Sequence, residues 1–198
     1  MEQPIGHKLI CLVGMPGAGK SEVADHMMAK HQFGYFRFGQ IVLDKVKETG
    51  QAPTEKLERE IREKIRAEHG MAAMAILNLP KIEKLLAGGN VLGDGLYSWE
   101  EYLFLKDKFG DQLKIVAIYA PPSVRYERLE GRGDRHGQDE SLRFRSFQMG
   151  ESWERDKAEI ENLHKAGPIA MADYTVINNC PIELLYQQIN ELLTVLVG

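Results

Sequence analysis

The sequence predicts an α/β fold in which parallel strands are covered by helices on both faces. Three observations carry this. Short apolar runs alternate with amphipathic stretches along most of the chain, the pattern of strands buried on both faces between helical crossovers. The 198 residues are 43% hydrophobic and 27% charged, enough to bury about 70% of the unfolded surface without disulfides. No internal repeat, low-complexity tract or Pro/Ser linker interrupts them, so a single domain over 1–198 is expected, with room for an inserted lobe.

The first strand is Leu9–Val13, apolar throughout. It is too short to span a membrane and lacks the basic start and small-residue cleavage site of a signal peptide. A cytoplasmic protein with no membrane partner is therefore expected. A helix-like run, SEVADHMMAKH, follows at 21–31, and a second strand falls at 35–38. From 54 to 69 acids and bases alternate densely, with Leu57, Ile61 and Ile65 at fourfold spacing. That predicts a helix with one apolar stripe, whose charges read first as a solvated, salt-bridged face. A third strand falls at 90–93. Ser98 with Glu101 three residues on forms a capping box, opening a helix that Gly110 stops. Strands at 114–120 and 174–178 make five. Pro181 suits the first turn of a final helix, with Ile182, Leu185, Ile189, Leu192 and Leu193 on one face.

A formal net charge of -4 argues against a protein that holds nucleic acid or an anionic membrane by bulk charge, so no nucleic-acid partner is expected. The charge is unevenly spread. The segment 125–145 holds six of the eleven arginines, with a glycine-rich turn, GRGDRHG, at 131–137. Cys11 and Cys180 lie far apart with no CxxC spacing, which fits a reducing compartment, gives no metal site and reads as core. The histidines show no ligand spacing, and Trp99 and Trp153 read as packing residues.

The strongest signal is Gly14-Met15-Pro16-Gly17-Ala18-Gly19-Lys20-Ser21, which fits GxxxxGK[ST] between the first strand and the first helix. The chemistry requires these residue types. A loop that wraps a polyphosphate with inward N–H groups needs glycines that tolerate positive φ and close approach. The next helix adds the positive end of its dipole, Lys20 reaches the β- and γ-phosphates, and the Ser21 hydroxyl ligates Mg²⁺. ATP and Mg²⁺ are the expected cofactors. An NKxD-like guanine signature is missing near the fifth strand, where Ile177-Asn178-Asn179-Cys180 stands. Size argues against a motor or an AAA-type module. A kinase acting on a small acceptor fits better.

GMPGAGKS at 14–21, Asp94-Gly95 at a strand end, the arginine-rich stretch, Arg37 with Gly39, Arg155-Asp156 and ADYTVIN at 172–178 together resemble the P-loop nucleoside monophosphate kinase group. Within it the chain is most similar to adenylate-kinase-related and dephospho-CoA-kinase-like P-loop proteins. The resemblance implies a P-loop NTPase three-layer fold with sheet order 2-3-1-4-5. It also implies an acceptor-binding helical region at 39–88 and an arginine-rich lid at 125–150. Asp94 would then face Mg²⁺ and the γ-phosphate at the carboxyl edge of the sheet; a turn aspartate before Gly95 is the alternative. Arg125 would meet the nucleotide, and Arg128, Arg132 and Arg135 would neutralise the transferring phosphoryl. The alternative is a surface helix pairing these arginines with Glu127, Glu130 and Asp134. Asn178 would touch the adenine edge or cap the helix at Pro181. Arg37, Arg62 and Arg66 are the acceptor candidates, and Tyr97 a stacking residue or a partly buried loop aromatic.

Two departures mark the acceptor side. Gly39-Gln40 stands where the family has Gly-Asp, and Asp94-Gly95-Leu96-Tyr97-Ser98 lacks the arginine of DG[FY]PR. The leading expectation is an Mg²⁺-dependent enzyme moving the γ-phosphoryl of ATP to a small nucleotide-like acceptor. A dephospho-CoA kinase and an ATP-dependent regulatory NTPase without a small acceptor are the alternatives. The sequence carries no signal of oligomeric state.

Overall fold

The computed structural model describes residues 6–52, 54–130 and 149–197. At its centre is a five-stranded parallel sheet in the order β2-β3-β1-β4-β5, as the family resemblance implied. The strands are β1 (Leu9–Val13), β2 (Gly34–Arg37), β3 (Val91–Asp94), β4 (Leu113–Tyr119) and β5 (Tyr174–Ile177). Each begins and ends within one residue of its expected range. β1 lies in the middle, and its five residues have no exposed surface. Its alternate side chains feed two cores: Leu9, Cys11 and Val13 join Phe36, Phe38, Ile82 and Leu105, while Ile10 and Leu12 join Val23, Met27, Leu92 and Ile189. Burial on both faces is why LICLV shows no polar alternation.

The helices are α1 (Lys20–Lys30), α2 (Gln40–Glu48), α3 (Glu55–His69), α4 (Ala73–Leu86), α5 (Trp99–Phe109), α6 (Pro122–Glu130), α7 (Met149–Leu163), α8 (Ala166–Ala170) and α9 (Ile182–Val197). α1 and α9 cover one face of the sheet and α2 to α5 the other. The region 39–88 thus contains three helices that carry the chain from β2 to β3. α3 starts as expected, its Thr54 hydroxyl accepting from the Leu57 N–H, and seats Ile65 in the core with Ile61 beside it. α5 opens on the full capping box, Glu101 accepting in return from the Ser98 N–H.

Three packing expectations are corrected. Trp153 is 60% exposed because it lies on the outer face of α7, whereas Trp99 stacks on Tyr102 with centroids 5.1 Å apart. Ile182 is 43% exposed at the first turn of α9, and Leu196 completes the buried stripe at the other end. Cys11 is fully buried, but Cys180 only partly so. At the sheet margin the Gln188 amide brackets the last residue of β5, accepting from Ile177 N at 3.1 Å and donating to Ile177 O at 3.0 Å. Among the described residues no helix is long and apolar enough to cross a membrane.

Candidate active site

The site forms at the carboxyl edge of the sheet, where β1 and β3 end side by side. β1 runs into the loop 14–21. Gly14 has φ 144° and Gly17 φ 77°, and a Cβ at either would stand 2.4 Å from the Ile118 carbonyl oxygen or 2.6 Å from that of Arg125. No other residue fits that backbone or that space. α1 starts at once, with Gly19 as its N-cap and no side chain capping its free N–H groups. An uncapped helix start under a glycine-rich turn is an anion cradle.

Lys20 Nζ donates to the Gly14 and Met15 carbonyl oxygens at 2.8 and 3.2 Å. Burial lowers its pKa to about 7, the nearby charge of Lys165 adds to that, and Asp94 and Glu159 oppose it. A desolvated ammonium gains most from an incoming anion. Asp94 ends β3, in register with Leu12 of β1 and Arg37 of β2. It is 8% exposed and accepts from the Tyr35 hydroxyl at 3.2 Å. Ser21 is the second residue of α1. Its hydroxyl and the Asp94 carboxylate are the hard oxygen donors that Mg²⁺ takes, and the free N–H cradle fits a polyphosphate. Among the described residues no group of three or more His, Cys, Asp and Glu gathers around a metal position. A Mg²⁺ held by Ser21 and Asp94 would draw its other ligands from phosphate and water.

Arg125 faces the loop from behind. It is 4% exposed, and its guanidinium donates to the Ala120 carbonyl oxygen (3.1 Å), the Pro16 carbonyl oxygen (3.0 Å) and Asp156 (3.1 and 2.5 Å). Asn178 is spent in the same way. Its Nδ2 donates to the Ala18 carbonyl oxygen at 2.9 Å and its Oδ1 accepts from Arg128 at 3.3 Å. It therefore does not cap α9. Arg125 pairs with Asp156, and Arg128 reaches Asn178. Arg132 and Arg135 lie outside the described residues.

Among the acceptor candidates, burial lowers the pKa of Arg66, which interacts electrostatically with Glu101, Arg62, Glu100 and Tyr97. Arg66, Arg62 and Tyr97 thus come together, while Arg37 stands beside Asp94 on the sheet. Glu101 has no exposed surface; burial raises its pKa to about 7 although the Tyr97 and Ser98 N–H groups donate to it. Sequence reading missed Glu159 and Lys165. Lys165 is 1% exposed, ion-paired with Glu159, and holds its Nζ 4.3 Å from the Tyr97 ring centre. Burial opposes ionisation of Glu159, but Lys165 and Arg155 hold its pKa down at about 2. No sequence signal links residues 97 and 165. Asp156 stood in the Arg155-Asp156 pair, but nothing there named Arg125 as its partner.

A glycine-rich loop between the central strand and an uncapped helix, with a carboxylate ending the adjacent strand, defines a P-loop nucleotide-binding protein with a kinase-like fold. The chain belongs to the family described as AAA domain, whose model matches residues 10–162. The match runs against the expectation that size excludes an AAA-type module. The chain is similar to a UPF0200 protein of Thermococcus onnurineus (strain NA1), at 32% identity over 186 residues, 93% of this chain and 95% of the relative. A shikimate kinase from Bacteroides thetaiotaomicron superposes with TM-score 0.59 at 18% identity, covering 94% of this chain and 98% of that one. A gluconokinase from Sinorhizobium meliloti 1021 gives TM-score 0.55 at 16% identity, covering 96% and 93%. These two likenesses are of fold.

Proposed function

We propose that the chain is an Mg²⁺-dependent phosphotransferase that moves the γ-phosphoryl of ATP to a small nucleotide-like acceptor. The observation that carries this is desolvated Lys20 on an uncapped helix start, with the buried Asp94 carboxylate ending the neighbouring strand. In this reading the N–H groups that the loop and the start of α1 leave unbonded, together with the Lys20 ammonium, bind the polyphosphate, and Ser21 and Asp94 hold Mg²⁺. Bound Mg²⁺ supplies charge neutralisation at the phosphoryl oxygens. Asp94 also orients the acceptor's attacking group. Arg37, Arg62, Arg66 and Tyr97 take the acceptor, with 39–88 as its lobe. Arg128, Arg132 and Arg135 belong to a lid over 125–150 that neutralises the moving phosphoryl and excludes water. Fold neighbours named as small-molecule kinases support the reaction class. Two cysteines without a disulfide support a cytoplasmic setting.

A metabolite screen with ADP readout, run with and without Mg²⁺, tests the reading. One acceptor class should raise ADP release only with Mg²⁺, and Lys20→Ala should abolish that increment with the fold intact. Retained acceptor-dependent turnover in Lys20→Ala would falsify the assignment. The ADYTVIN run has structural duties: Asp173 accepts from the Ile115 N–H at 2.7 Å and Asn178 serves the loop. Dephospho-CoA therefore joins the panel as one acceptor among others. If no acceptor lifts ADP release above the basal rate, a regulatory NTPase replaces the kinase.

A further inference from the structure

α7 carries two buried carboxylates three residues apart, and each holds a cation that serves a different half of the site. Asp156, 4% exposed, accepts both Nη atoms of Arg125 and the Tyr126 hydroxyl, the last at 3.0 Å. Arg125 Nη1 reaches the Pro16 carbonyl oxygen at 3.0 Å, so the loop backbone hangs from α7 through one guanidinium. Glu159, 7% exposed, pairs with Lys165 and accepts from Arg155 Nε at 3.0 Å. Lys165 in turn stands under the Tyr97 ring. The turn that delivers Lys165 is firmly built. His164, φ 49°, is the one non-glycine residue with positive φ among the described residues. Gly167 packs so tightly on Trp99 that a Cβ would lie 2.6 Å from its ring.

We propose that Asp156 and Glu159 are positioning residues, Asp156 shaping the nucleotide loop through Arg125 and Glu159 holding Tyr97 through Lys165, so that one helix sets both subsites in register. The proposal rests on the reading of 14–21 as the nucleotide loop. A planar guanidinium grips both oxygens of a carboxylate in a fixed fork and still reaches a carbonyl oxygen, a rigid geometry that the point charge of an ammonium does not reproduce.

Calorimetry with ADP on the full chain tests the first arm. Asp156→Asn should weaken ADP binding at least tenfold, Asp156→Glu should recover part of it, and Arg125→Lys should repeat the loss if Asp156→Asn does not fold. Nitration of Tyr97 by tetranitromethane, followed by peptide mass spectrometry, tests the second. The double variant Glu159→Gln/Lys165→Gln removes both charges together and strands neither in the interior. Its Tyr97 should nitrate at least fivefold faster than wild type, while in Asp156→Asn it should not. The proposal is overturned by folded Asp156→Asn or Arg125→Lys that binds ADP within twofold of wild type. Unchanged nitration in the double variant, or equal acceleration in Asp156→Asn, overturns it as well. A wild-type chain that binds neither ADP nor ATP sinks the nucleotide-loop reading instead.

Discussion

The nucleotide loop and the cluster around Glu101 proposed as the acceptor half are built to different degrees of completion. On the nucleotide side the loop is braced from outside: Arg125 holds Pro16, Asn178 holds Ala18, and Lys20 rests on Gly14 and Met15. The uncapped start of α1 leaves the N–H groups that a phosphate needs. On the acceptor side, buried polar atoms go without hydrogen bonds among the described residues: Arg66 Nε, Glu100 Oε2 and Glu101 Oε1. Such atoms cost about 1–3 kcal/mol each when left unsatisfied. The contrast teaches that the nucleotide half is shaped before its ligand arrives, whereas the acceptor half keeps an unspent donor and two unspent acceptors.

Four measurements break or sharpen that contrast. The largest effect belongs to the nucleotide half: Lys20→Ala should lower acceptor-dependent ADP release by about 10³-fold or more. Its thermal midpoint should not fall, because the substitution removes a desolvated charge. Next comes the seam between the halves. Glu159→Gln leaves buried Lys165 uncompensated and should cost about 3–5 kcal/mol in urea unfolding. Since the Glu159 carboxyl sits at about 2 in the fold against an ordinary 4.5, the stability it provides is present above pH 4.5 and lost as pH falls toward 2. The gap between variant and wild type should close over that window.

The acceptor half gives the opposite sign. Glu101 sits at about 7 in the fold against 4.5 unfolded, so its contribution is full below pH 4.5 and fades as pH rises through 7. Glu101→Gln, neutral throughout, should therefore gain on wild type by about 3 kcal/mol between those limits. A flat difference would mean that the acceptor half is not strained by this carboxylate. The smallest effect is on the outer face of α3, where Lys56 and Glu60 pair at 3.9 Å with 87% and 59% exposure. Lys56→Ala should change stability by no more than about 0.5 kcal/mol. A larger change would make the charged helix act as a unit.

What the sequence revealed and what it hid follow from contact range. The strands, the loop 14–21, the capping box at Ser98 and the stripe at Ile61 and Ile65 are local patterns, and each stands where those patterns put it. Nucleotide-loop residues were legible because one strand-turn-helix segment holds them all. The braces were not. Arg125 meets Asp156 across 31 residues and Asn178 meets Ala18 across 160, distances at which no periodicity speaks. Arg125 and Asn178 read as ligand contacts because a polar residue near the carboxyl edge of the sheet carries no mark of whether it also props the loop. Lys165 resembled any lysine between two helices; its burial and its pairing with Glu159 exist only in the fold. Trp153 shows the reverse, an amphipathic helix position that the fold leaves in water.

The bracket that Gln188 places on Ile177 bears on how this protein behaves in company. β5 is the last strand of its sheet, and the free edge of such a strand is a template for pairing with another chain. Here the final N–H and C=O of that edge are already answered by a side-chain amide of the same molecule. A foreign strand seeking to extend the sheet there must first displace both bonds. The helix that completes the core thus also works as a guard against edge-to-edge polymerisation, and losing its glutamine would expose a sticky margin without touching the loop 14–21.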